Sequence, residues 1–404
     1  MELTQQQQKA VESIMGFFLN DETYFVLSGY AGTGKTTIVR SVLDSYQQEL
    51  TILGMIDPTF ENRFVYVTAS TNKAVDVLQQ QLATYVCRTT HSLLGLIPKG
   101  KNLEQVKEPP KDCIIIVDEA SMLDTTMLGF IKNAAENYNN KFLFIGDPTQ
   151  LPPVGMDYAP IFEQGFPQIE LTEILRQDTG VLKDLSNALR EQVLGNPMES
   201  IDIDGVEVLH VDRDTYKQMI VDDMTRPEWT NSDSKVLCYT NKMAIAMNRL
   251  VKTHVDGTHK FQKGDFAINN KAFYTKDLKL KTDALVYIED VFHDITSFNT
   301  PGCYVFINGV RLFVPYDMNK KYEIEALYEV EDKHSYYLLQ RDWIDIRAAY
   351  ACTVHKSQGS TYKTAYVDIY DIAKARRFNE DLFNRLLYVA VSRASHKVVF
   401  TGDI

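Results

Sequence analysis

The fold is decided by Gly29-Tyr30-Ala31-Gly32-Thr33-Gly34-Lys35-Thr36, which fits the phosphate-loop pattern G-x-x-x-x-G-K-[ST]. An apolar run at Tyr24–Ser28 precedes it, and a helical pattern follows from Thr36 to about Tyr46, as such a loop requires. Glycines let backbone amides turn onto phosphate oxygens, and the following helix adds its dipole. An ordinary glycine-rich turn is the alternative. The sequence predicts nucleotide contacts at Gly29, Gly32, Thr33, Gly34, Lys35, Thr36 and Thr37, with Lys35 on the β and γ phosphates and the Thr36 hydroxyl on Mg²⁺.

Strand and helix patterns alternate beyond this loop. The strand patterns are Phe64–Thr68, Cys113–Val117 and Lys141–Ile145, and a helix pattern spans Ala74–Leu82. Alternation of this kind predicts a parallel, doubly wound sheet, so the fold class is α/β. Polar motifs follow the strands directly, and sites in such sheets lie at the carboxyl ends of the strands.

An acidic pair follows the strand pattern Cys113–Val117, in Asp118-Glu119-Ala120-Ser121. Two adjacent carboxylates at the end of a buried strand cost free energy unless they act there. We expect Asp118 to hold Mg²⁺ through water, and Glu119 to orient or deprotonate the attacking water. The alternative is an acidic residue that caps the next helix.

A second polar motif follows Lys141–Ile145 and reads Gly146-Asp147-Pro148-Thr149-Gln150-Leu151-Pro152-Pro153-Val154. Gln150 is a candidate γ-phosphate sensor, because its neutral amide can hydrogen-bond phosphate and water. Phosphoryl transfer also needs positive charge on the γ-phosphate, and Arg176 and Arg393 are the candidates. From the residues alone, Asp147-Pro148 can also be a turn at a strand exit, and each arginine is more often a surface residue.

The second half of the chain begins after residues 181–235, which are acidic and broken by glycine and proline. We interpret that segment as a surface connection. A new set of strand patterns starts at Lys235–Tyr239 and resumes after Arg341. Between them, residues 256–340 are rich in Tyr, Phe, Val and Ile, and Asn308-Gly309 separates two apolar runs as in a two-residue hairpin. We interpret 256–340 as a small β-barrel inserted into a second α/β domain.

Composition limits the possible functions. The formal net charge is −12 over 404 residues, so any nucleic acid must bind in a local groove that also uses hydroxyls, amides and aromatic rings. The five cysteines are scattered without a C-x-x-C pattern, which is typical of reduced thiols and not of a metal site. The sequence shows neither a leader nor an apolar run of membrane-spanning length, so we expect a soluble, cytoplasmic protein without membrane partners.

Taken in their order along the chain, the phosphate loop, the acidic pair and the motif at 146–154 resemble those of superfamily-one helicases of the RecD/Dda type. The resemblance covers nearly the whole chain. Leu3-Thr4-Gln5-Gln6-Gln7 resembles the adenine-reading motif of that family, with Gln7 at the key position. Cys352-Thr353-Val354-His355-Lys356-Ser357-Gln358-Gly359-Ser360-Thr361 is similar to its fifth motif, which adds Gly359 to the nucleotide contacts. Arg176 and Arg393 fall on the family's two arginine fingers.

The resemblance implies two RecA-like lobes, each with a parallel sheet, that bind ATP and Mg²⁺ in the cleft between them. The implied boundaries are 1–178 for the first lobe, 179–255 and 341–404 for the second, and 256–340 for an inserted SH3-like β-barrel that guides the strand. A short pin at about 93–111, where the family carries a duplex-splitting hairpin, interrupts the first lobe. Hydrolysis would drive 5′→3′ movement along single-stranded DNA.

The resemblance also implies contacts with single-stranded DNA. They are short hydroxyls, amides, imidazoles and a lysine at loop ends, which touch phosphates without reading a base: Thr71, Asn72, Thr90, His91, Asn241, Lys242, Thr353 and His355. From the residues alone, a helix cap, a turn residue or a structural histidine is the favoured interpretation for each of them. Relatives often have proline before the threonine of the second motif, whereas Ser70 stands here. The expected partners are single-stranded DNA, duplex with a 5′ tail and a single-stranded-DNA-binding protein, with the chain itself a monomer.

A phosphate loop also occurs in GTPases, in small-molecule kinases and in nucleic-acid-binding ATPases that do not separate strands. A GTPase should carry Asn-Lys-x-Asp, and in Asn72-Lys73-Ala74-Val75-Asp76 the aspartate comes one place too late. A small-molecule kinase needs neither two arginines beyond residue 170 nor a second α/β lobe. A nucleic-acid-binding ATPase scaffold that does not separate strands stays open.

Overall fold

The computed structural model describes residues 3–56, 62–99, 102–173, 180–197 and 203–403. Its helices are α1 (Gln5–Leu19), α2 (Lys35–Ile56), α3 (Asn72–Gln81), α4 (Thr90–Leu93), α5 (Thr125–Tyr138), α6 (Val181–Val193), α7 (Arg213–Met224), α8 (Asn241–Asp256), α9 (Met318–Glu331), α10 (Lys333–Asp342), α11 (Val354–Ser357), α12 (Ile369–Ile372) and α13 (Glu380–Ser392). Its strands are β1 (Tyr24–Gly29), β2 (Phe64–Ala69), β3 (Cys87–Thr89), β4 (Leu96–Lys99), β5 (Asn102–Gln105), β6 (Cys113–Asp118), β7 (Lys141–Gly146), β8 (Gln168–Leu171), β9 (Val208–His210), β10 (Ser234–Cys238), β11 (Phe266–Asn269), β12 (Phe273–Tyr274), β13 (Lys279–Leu280), β14 (Leu285–Tyr287), β15 (Asp290–Ser297), β16 (Thr300–Ile307), β17 (Val310–Pro315), β18 (Ile346–Ala348), β19 (Ala351–Thr353), β20 (Tyr362–Asp368) and β21 (Ala394–Thr401).

The chain divides into two compact units. The first comprises Met1–Glu207, Gln358–Ser360 and Ala375–Arg393, and the second comprises Val208–Ser357, Thr361–Lys374 and Ala394–Ile404. The resemblance implied that the first lobe ends at 178 and that all of 341–404 belongs to the second lobe. The observed first unit instead runs to Glu207 and also includes Gln358–Ser360 and Ala375–Arg393. The physical reason is that α6 and α13 pack against each other within the first unit.

The first unit is built on a parallel sheet in the order β3-β2-β6-β7-β1-β8. Successive side chains of β6 point to opposite faces. Ile114 and Ile116 join a core with α1, α2 and α3, whereas Ile115 and Val117 join a core with α5. Helices therefore cover both faces, which confirms the predicted doubly wound sheet.

The second unit contains another parallel sheet, in the order β19-β10-β20-β21-β9. Its core combines β10 residues Val236 and Cys238 with Tyr216 of α7 and Val251 of α8. Two sheets of this kind confirm the α/β class with two RecA-like lobes.

Residues 181–235 are not the surface connection that the sequence suggested. The described part of this segment forms α6, β9 and α7, and α6 buries Leu182, Leu185 and Leu189. These leucines recur at the spacing of one helix face. The acidic composition and the Gly and Pro breaks hid that periodicity.

The inserted segment contains more than a barrel. The predicted Asn308-Gly309 hairpin is confirmed, since β16 and β17 pair antiparallel across it and φ is 50° at Asn308 and 74° at Gly309. However, its strands belong to separate small sheets that share one core, and α9 and α10 make residues 318–342 largely helical. Strand β18, beyond the implied boundary at 340, also pairs with β11. An SH3-like form is therefore not confirmed.

A two-stranded hairpin occupies the place of the implied pin. Strands β4 and β5 pair antiparallel from Leu96↔Gln105 to Lys99↔Asn102. The hairpin starts at Gly95, where φ is 69° and an added Cβ would lie 2.1 Å from the Lys107 carbonyl oxygen. The backbone of Lys107 thus requires glycine at position 95.

Candidate functional site

The phosphate loop connects β1 to α2 at one edge of the first sheet. Gly32 and Gly34 have φ values of 85° and 81°, in the left-handed region that favours glycine. An added Cβ at Gly34 would lie 2.5 Å from Nε2 of Gln7. The predicted glycines are therefore required by the shape of the loop, and α2 begins at Lys35 as the motif demands.

Two side chains of the phosphate loop donate hydrogen bonds to main-chain carbonyls of the same loop. Lys35 Nζ donates to the carbonyls of Gly29 at 2.6 Å and Tyr30 at 2.9 Å. The buried Thr33 hydroxyl also donates to the Tyr30 carbonyl, at 2.9 Å. The Thr33 main-chain amide donates to the same carbonyl at 3.3 Å, so Thr33 stabilises the loop with both its side chain and its main chain. The contacts predicted for this loop, including Thr36 and Thr37 on α2, stay predictions.

Two glutamines of α1 connect that helix to the site. Gln7 forms a capping box with Thr4, accepting the Thr4 amide on Oε1 at 3.1 Å, and Nε2 donates to the Thr33 carbonyl at 3.1 Å. Gln7 is therefore tied to the phosphate loop, while its reading of adenine stays a prediction. Gln6, which the sequence did not single out, accepts the amides of Thr172 and Glu173, each at 3.1 Å, just before the segment of Arg176.

The acidic pair lies at the carboxyl end of β6. Desolvation, together with the charge of the neighbouring Glu119, raises the pKa of Asp118 to about 7, although the Glu119 amide and the Lys35 ammonium act in the opposite direction. Glu119 has a left-handed backbone with φ of 53°, and its side chain makes no capping bond with any described residue although it precedes a short 3-10 helix, Ala120–Met122. The capping alternative is therefore wrong for Glu119. Strands β1 and β6 both pair parallel with β7, so the phosphate loop and the acidic pair lie at the same edge of the sheet.

The residues at this edge suit Mg²⁺. The Asp118 carboxylate and the Thr36 hydroxyl are oxygen donors, and a cation would offset the charge of the desolvated acidic pair. Within the described ranges no cluster of three or more His, Cys, Asp or Glu side chains could hold a metal. Magnesium beside a nucleotide needs no such cluster, since phosphates and waters complete its shell.

The motif after β7 forms a buried hydrogen-bonded turn. Asp147 is 1% exposed, and its Oδ1 accepts the Thr149 amide at 2.9 Å and hydroxyl at 2.5 Å. Gln150 is also buried; its Nε2 lies 3.5 Å from Asp147 Oδ2, and its Oε1 has no hydrogen-bond partner among the described residues. The turn that the sequence offered as an alternative exists, and it carries the candidate sensor.

Helix α13 adds two residues that sequence reasoning missed. The Tyr388 hydroxyl donates to Asp147 Oδ2 at 2.9 Å and accepts the Ala31 amide at 3.3 Å. Arg385 Nη1 donates to the carbonyls of Pro148 at 2.7 Å and Gln150 at 3.0 Å. The available signal was an arginine and a tyrosine three residues apart in the otherwise apolar stretch Arg385–Val391.

The two candidate arginine fingers and Gly359 complete the predicted nucleotide site. Arg176 lies outside the described residues. Arg393 is buried at the end of α13, where its guanidinium donates to the carbonyls of Val389 and Ser360 and to the Ser392 hydroxyl. Gly359 has φ of 72°, and an added Cβ there would lie 3.4 Å from Ala74 Cβ at the start of α3. The finger and nucleotide roles of Arg393 and Gly359 stay predictions.

The implied DNA contacts of the first unit follow β2 and β3. Thr71 is the N-cap of α3 and accepts the Ala74 amide at 3.2 Å; Asn72 is the first residue of that helix. Thr90 is fully buried, and its hydroxyl donates to Thr68, so only its main chain could meet a strand. Burial lowers the pKa of His91, and the negative charge of Asp124 acts against this shift. Thr71 is therefore the helix cap that the alternative proposed, and its phosphate contact stays a prediction.

The implied DNA contacts of the second unit meet at one edge of its sheet. Strands β10 and β19 pair with Cys238 beside Thr353, so Asn241, Lys242 and His355 follow adjacent strand ends. The Asp371 carboxylate accepts the amides of Tyr239 and Thr240, and Asn241 Oδ1 accepts from Arg347 at 3.0 Å. The His355 ring lies 6.4 Å from that of Tyr239, and burial lowers its pKa. Asp371 and Arg347 were not predicted from the sequence.

Comparison with known families adds to this geometry. The profile of the AAA domain matches residues 2–205, more than half of the chain. The chain belongs to this family. A profile of the UvrD-like helicase C-terminal domain also matches this AAA-domain protein, at residues 348–401. Together with the relatives below, these matches confirm the superfamily-one, RecD/Dda-type resemblance.

Relatives of this AAA-domain protein include helicases. The ATP-dependent DNA helicase dda of Enterobacteria phage T4 is 23% identical, and the match covers 99% of each chain. The ATP-dependent RecD2 DNA helicase of Deinococcus radiodurans is 25% identical over 99% of this chain, which spans 49% of that protein's length. The crystal structure of Pif1 helicase from Candida albicans is similar with a TM-score of 0.51 at 18% identity, covering 100% of this chain and 96% of that one. That structural likeness shows the shared fold.

The two profile matches contain most of the polar groups described above. The AAA domain covers the phosphate loop, the acidic pair and the Gln150 loop, and the C-terminal match covers Thr353, His355 and α13. Among the described residues of this AAA-domain protein, no helix has the length and apolarity needed to cross a membrane.

Proposed function

We propose that this AAA-domain protein is an ATP-dependent DNA helicase that moves 5′→3′ on single-stranded DNA and unwinds duplex DNA. The observation that carries the proposal is that the phosphate loop and the Asp118-Glu119 pair follow two strands, β1 and β6, that both pair parallel with β7, so both motifs lie at the carboxyl edge of one sheet. A cation on a glycine-rich loop opposite two carboxylates is the arrangement that Mg-ATP hydrolysis requires.

Each group at this edge has a chemical task. Glycine-loop amides and Lys35 would bind the phosphates, and Thr36 and Asp118 would hold Mg²⁺, which neutralises charge on the β and γ phosphates when bound. Glu119 would orient or deprotonate the attacking water. Its left-handed backbone is unusual for a residue other than glycine, and such backbones cluster at functional sites.

The Gln150 amide and two arginines would act on the γ-phosphate. Oε1 of Gln150, which has no hydrogen-bond partner within the described part of the chain, can accept a hydrogen bond from water, and Nε2 can donate to phosphate. Arg393 would have to leave its present carbonyl partners to reach the phosphate. Arg176 is proposed as the second finger on the resemblance alone.

The strand would lie on the loop ends that follow the sheets. Asn72 and His91 in the first unit, and Lys242 and His355 in the second, carry donors suited to phosphates. Their placement after strand ends, together with DNA helicases among the relatives, supports single-stranded DNA as the track. The 5′→3′ direction is taken from the family resemblance.

A strand-displacement assay tests the proposal. Duplexes with a 5′ tail or a 3′ tail are incubated with ATP and Mg²⁺, with Lys35→Ala as the inactive control. We expect unwinding of the 5′-tailed duplex only, and none with Lys35→Ala, because the γ-phosphate loses its charge partner. Unwinding of the 3′-tailed duplex alone contradicts the direction, and near-normal ATPase of Lys35→Ala contradicts the phosphate site.

The second candidate is a single-stranded nucleic-acid-binding ATPase that does not separate strands. It is kept because strand binding and ATP hydrolysis need only the loop ends and the phosphate site, whereas strand separation also needs the β4–β5 hairpin to act as a pin. ATPase stimulated by single strands without unwinding of either duplex would favour this candidate.

A further inference from the structure

Helix α13 presents a polar stripe to the loop that carries Gln150. Asp381, Arg385 and Tyr388 are four and three residues apart, so they share one face of the helix. Arg385 donates from Nε to Asp381 at 2.6 Å and from Nη1 to the carbonyls of Pro148 and Gln150. A planar guanidinium holds its donors in fixed geometry, so Arg385 fixes the main chain at both of these loop residues.

Tyr388 connects this loop to the phosphate loop through a single oxygen. Its hydroxyl donates to Asp147 Oδ2 at 2.9 Å and accepts the Ala31 amide at 3.3 Å. Tyr388 is 2% exposed and Asp147 is 1% exposed. Water therefore cannot replace the hydroxyl readily, and the bonds are strengthened by the low local dielectric.

The two oxygens of Asp147 have different partners. Oδ1 is occupied by the amide and hydroxyl of Thr149, whereas Oδ2 accepts from Tyr388 at 2.9 Å and from Gln150 Nε2 at only 3.5 Å. The glutamine contact is at the limit of a hydrogen bond. Tyr388 therefore holds the oxygen that would otherwise draw in the Gln150 amide.

We propose that Tyr388 and Arg385 are positioning residues that keep the Gln150 carboxamide available to the γ-phosphate and the attacking water. The proposal rests on the proposed function, in which Gln150 is the sensor. Without the Tyr388 hydroxyl, Asp147 Oδ2 loses its stronger donor and binds Gln150 Nε2 more tightly. ATP still binds to the phosphate loop, but hydrolysis slows.

Tyr388→Phe tests this by removing one oxygen. We expect the kcat of ATP hydrolysis, stimulated by oligo(dT), to fall about tenfold, while the KM for ATP changes less than about threefold. The matched control is Tyr366→Phe in the second unit. The Tyr366 hydroxyl donates to the Met219 carbonyl at 3.3 Å and to Asp223 at 3.1 Å. This control should keep its kcat. An unchanged kcat in Tyr388→Phe overturns the proposal.

A double-mutant cycle separates positioning from a merely structural role. In a Gln150→Ala background, Tyr388→Phe should add no further loss of the single-turnover rate, because its effect passes through Gln150. An equal loss in both backgrounds overturns the proposal.

A second variant tests the proposal in case Tyr388→Phe folds poorly. Arg385→Lys keeps the charge beside Asp381 but loses the guanidinium geometry, and the same cycle applies to it with the same two outcomes. Lys35→Ala in the same assay tests the proposed function separately, because it asks only whether the phosphate loop is the nucleotide site.

Discussion

The Ser70 hydroxyl donates a hydrogen bond of 3.0 Å to the main-chain carbonyl of Glu119. Ser70 directly precedes Thr71, the N-cap of α3 and an implied DNA contact. Glu119 has φ of 53°, a backbone conformation that costs on the order of 1 kcal/mol for a residue other than glycine. The hydrogen bond therefore stabilises the strained main chain of Glu119 and connects it to the loop at Ser70-Thr71, which is expected to contact the DNA strand.

Ser70→Ala should lower the kcat of DNA-stimulated ATP hydrolysis by about three- to tenfold with little change in the KM for ATP, because Glu119 loses a main-chain tie. Steady-state ATPase with saturating oligo(dT) measures this. Ser70→Thr keeps a hydroxyl and should restore the rate. Ser395→Ala is the matched control, since its hydroxyl also donates to a carbonyl, that of Tyr362, at 3.2 Å. Equal kcat values for Ser70→Ala and the unmodified chain would refute the coupling.

Glu119→Gln should bind ATP but hydrolyse it at least about 100-fold more slowly, because an amide cannot take a proton from water. Equilibrium binding of a fluorescent ATP analogue and single-turnover hydrolysis separate the two effects. Glu136→Gln, at an exposed position of α5, is the control for the same chemical change. Normal turnover of Glu119→Gln would assign the base to another residue.

Asp118→Asn should stabilise the nucleotide-free chain at pH 8 while removing ATPase. Desolvation raises the pKa of Asp118 from 3.8 to about 7, so the folded state binds more protons than the unfolded state between these values. The free energy of unfolding therefore falls as pH rises from about 4 to about 7. Above pH 7 the full destabilisation by the charged Asp118 carboxylate is present. We expect Asp118→Asn to gain about 1 kcal/mol or more at pH 8, and progressively less towards pH 4. Denaturant unfolding at both pH values measures this, and equal stabilities at pH 8 would contradict it.

Gly95→Ala should impair strand separation while DNA-stimulated ATPase stays within about twofold, because the added Cβ displaces Lys107 at the base of the β4–β5 hairpin. Gly155→Ala is the matched control. Its φ of 85° imposes similar backbone strain, but no described atom lies within 4 Å of the added Cβ. Strand displacement and ATPase are measured on the same preparations. Wild-type unwinding by Gly95→Ala would show that the hairpin does not act as a pin.

Parts of this fold were predictable because their signals are local. The phosphate loop, the strand before it and the Asn308-Gly309 hairpin each depend on adjacent residues whose backbone preferences agree. Residues 181–235 and the helical part of the insertion were mistaken, because composition was weighed above the helical spacing of residues such as Leu182, Leu185 and Leu189. Capping roles also stayed open, since a threonine at a loop end can cap a helix or contact a phosphate, as Thr71 illustrates.

The sequence by itself determined the α/β class, the glycine loop and the acidic pair, since each is a short run whose chemistry is carried by its own residues. Only the tertiary structure decided that Ser70 supports Glu119 and that Tyr388 bridges Ala31 and Asp147. The first bond joins positions 49 apart, and the bond from Tyr388 to Asp147 joins positions 241 apart. Such pairs meet because parallel strands bring their carboxyl ends to one edge and buried helices pack against it, a consequence of the fold that neither segment encodes alone.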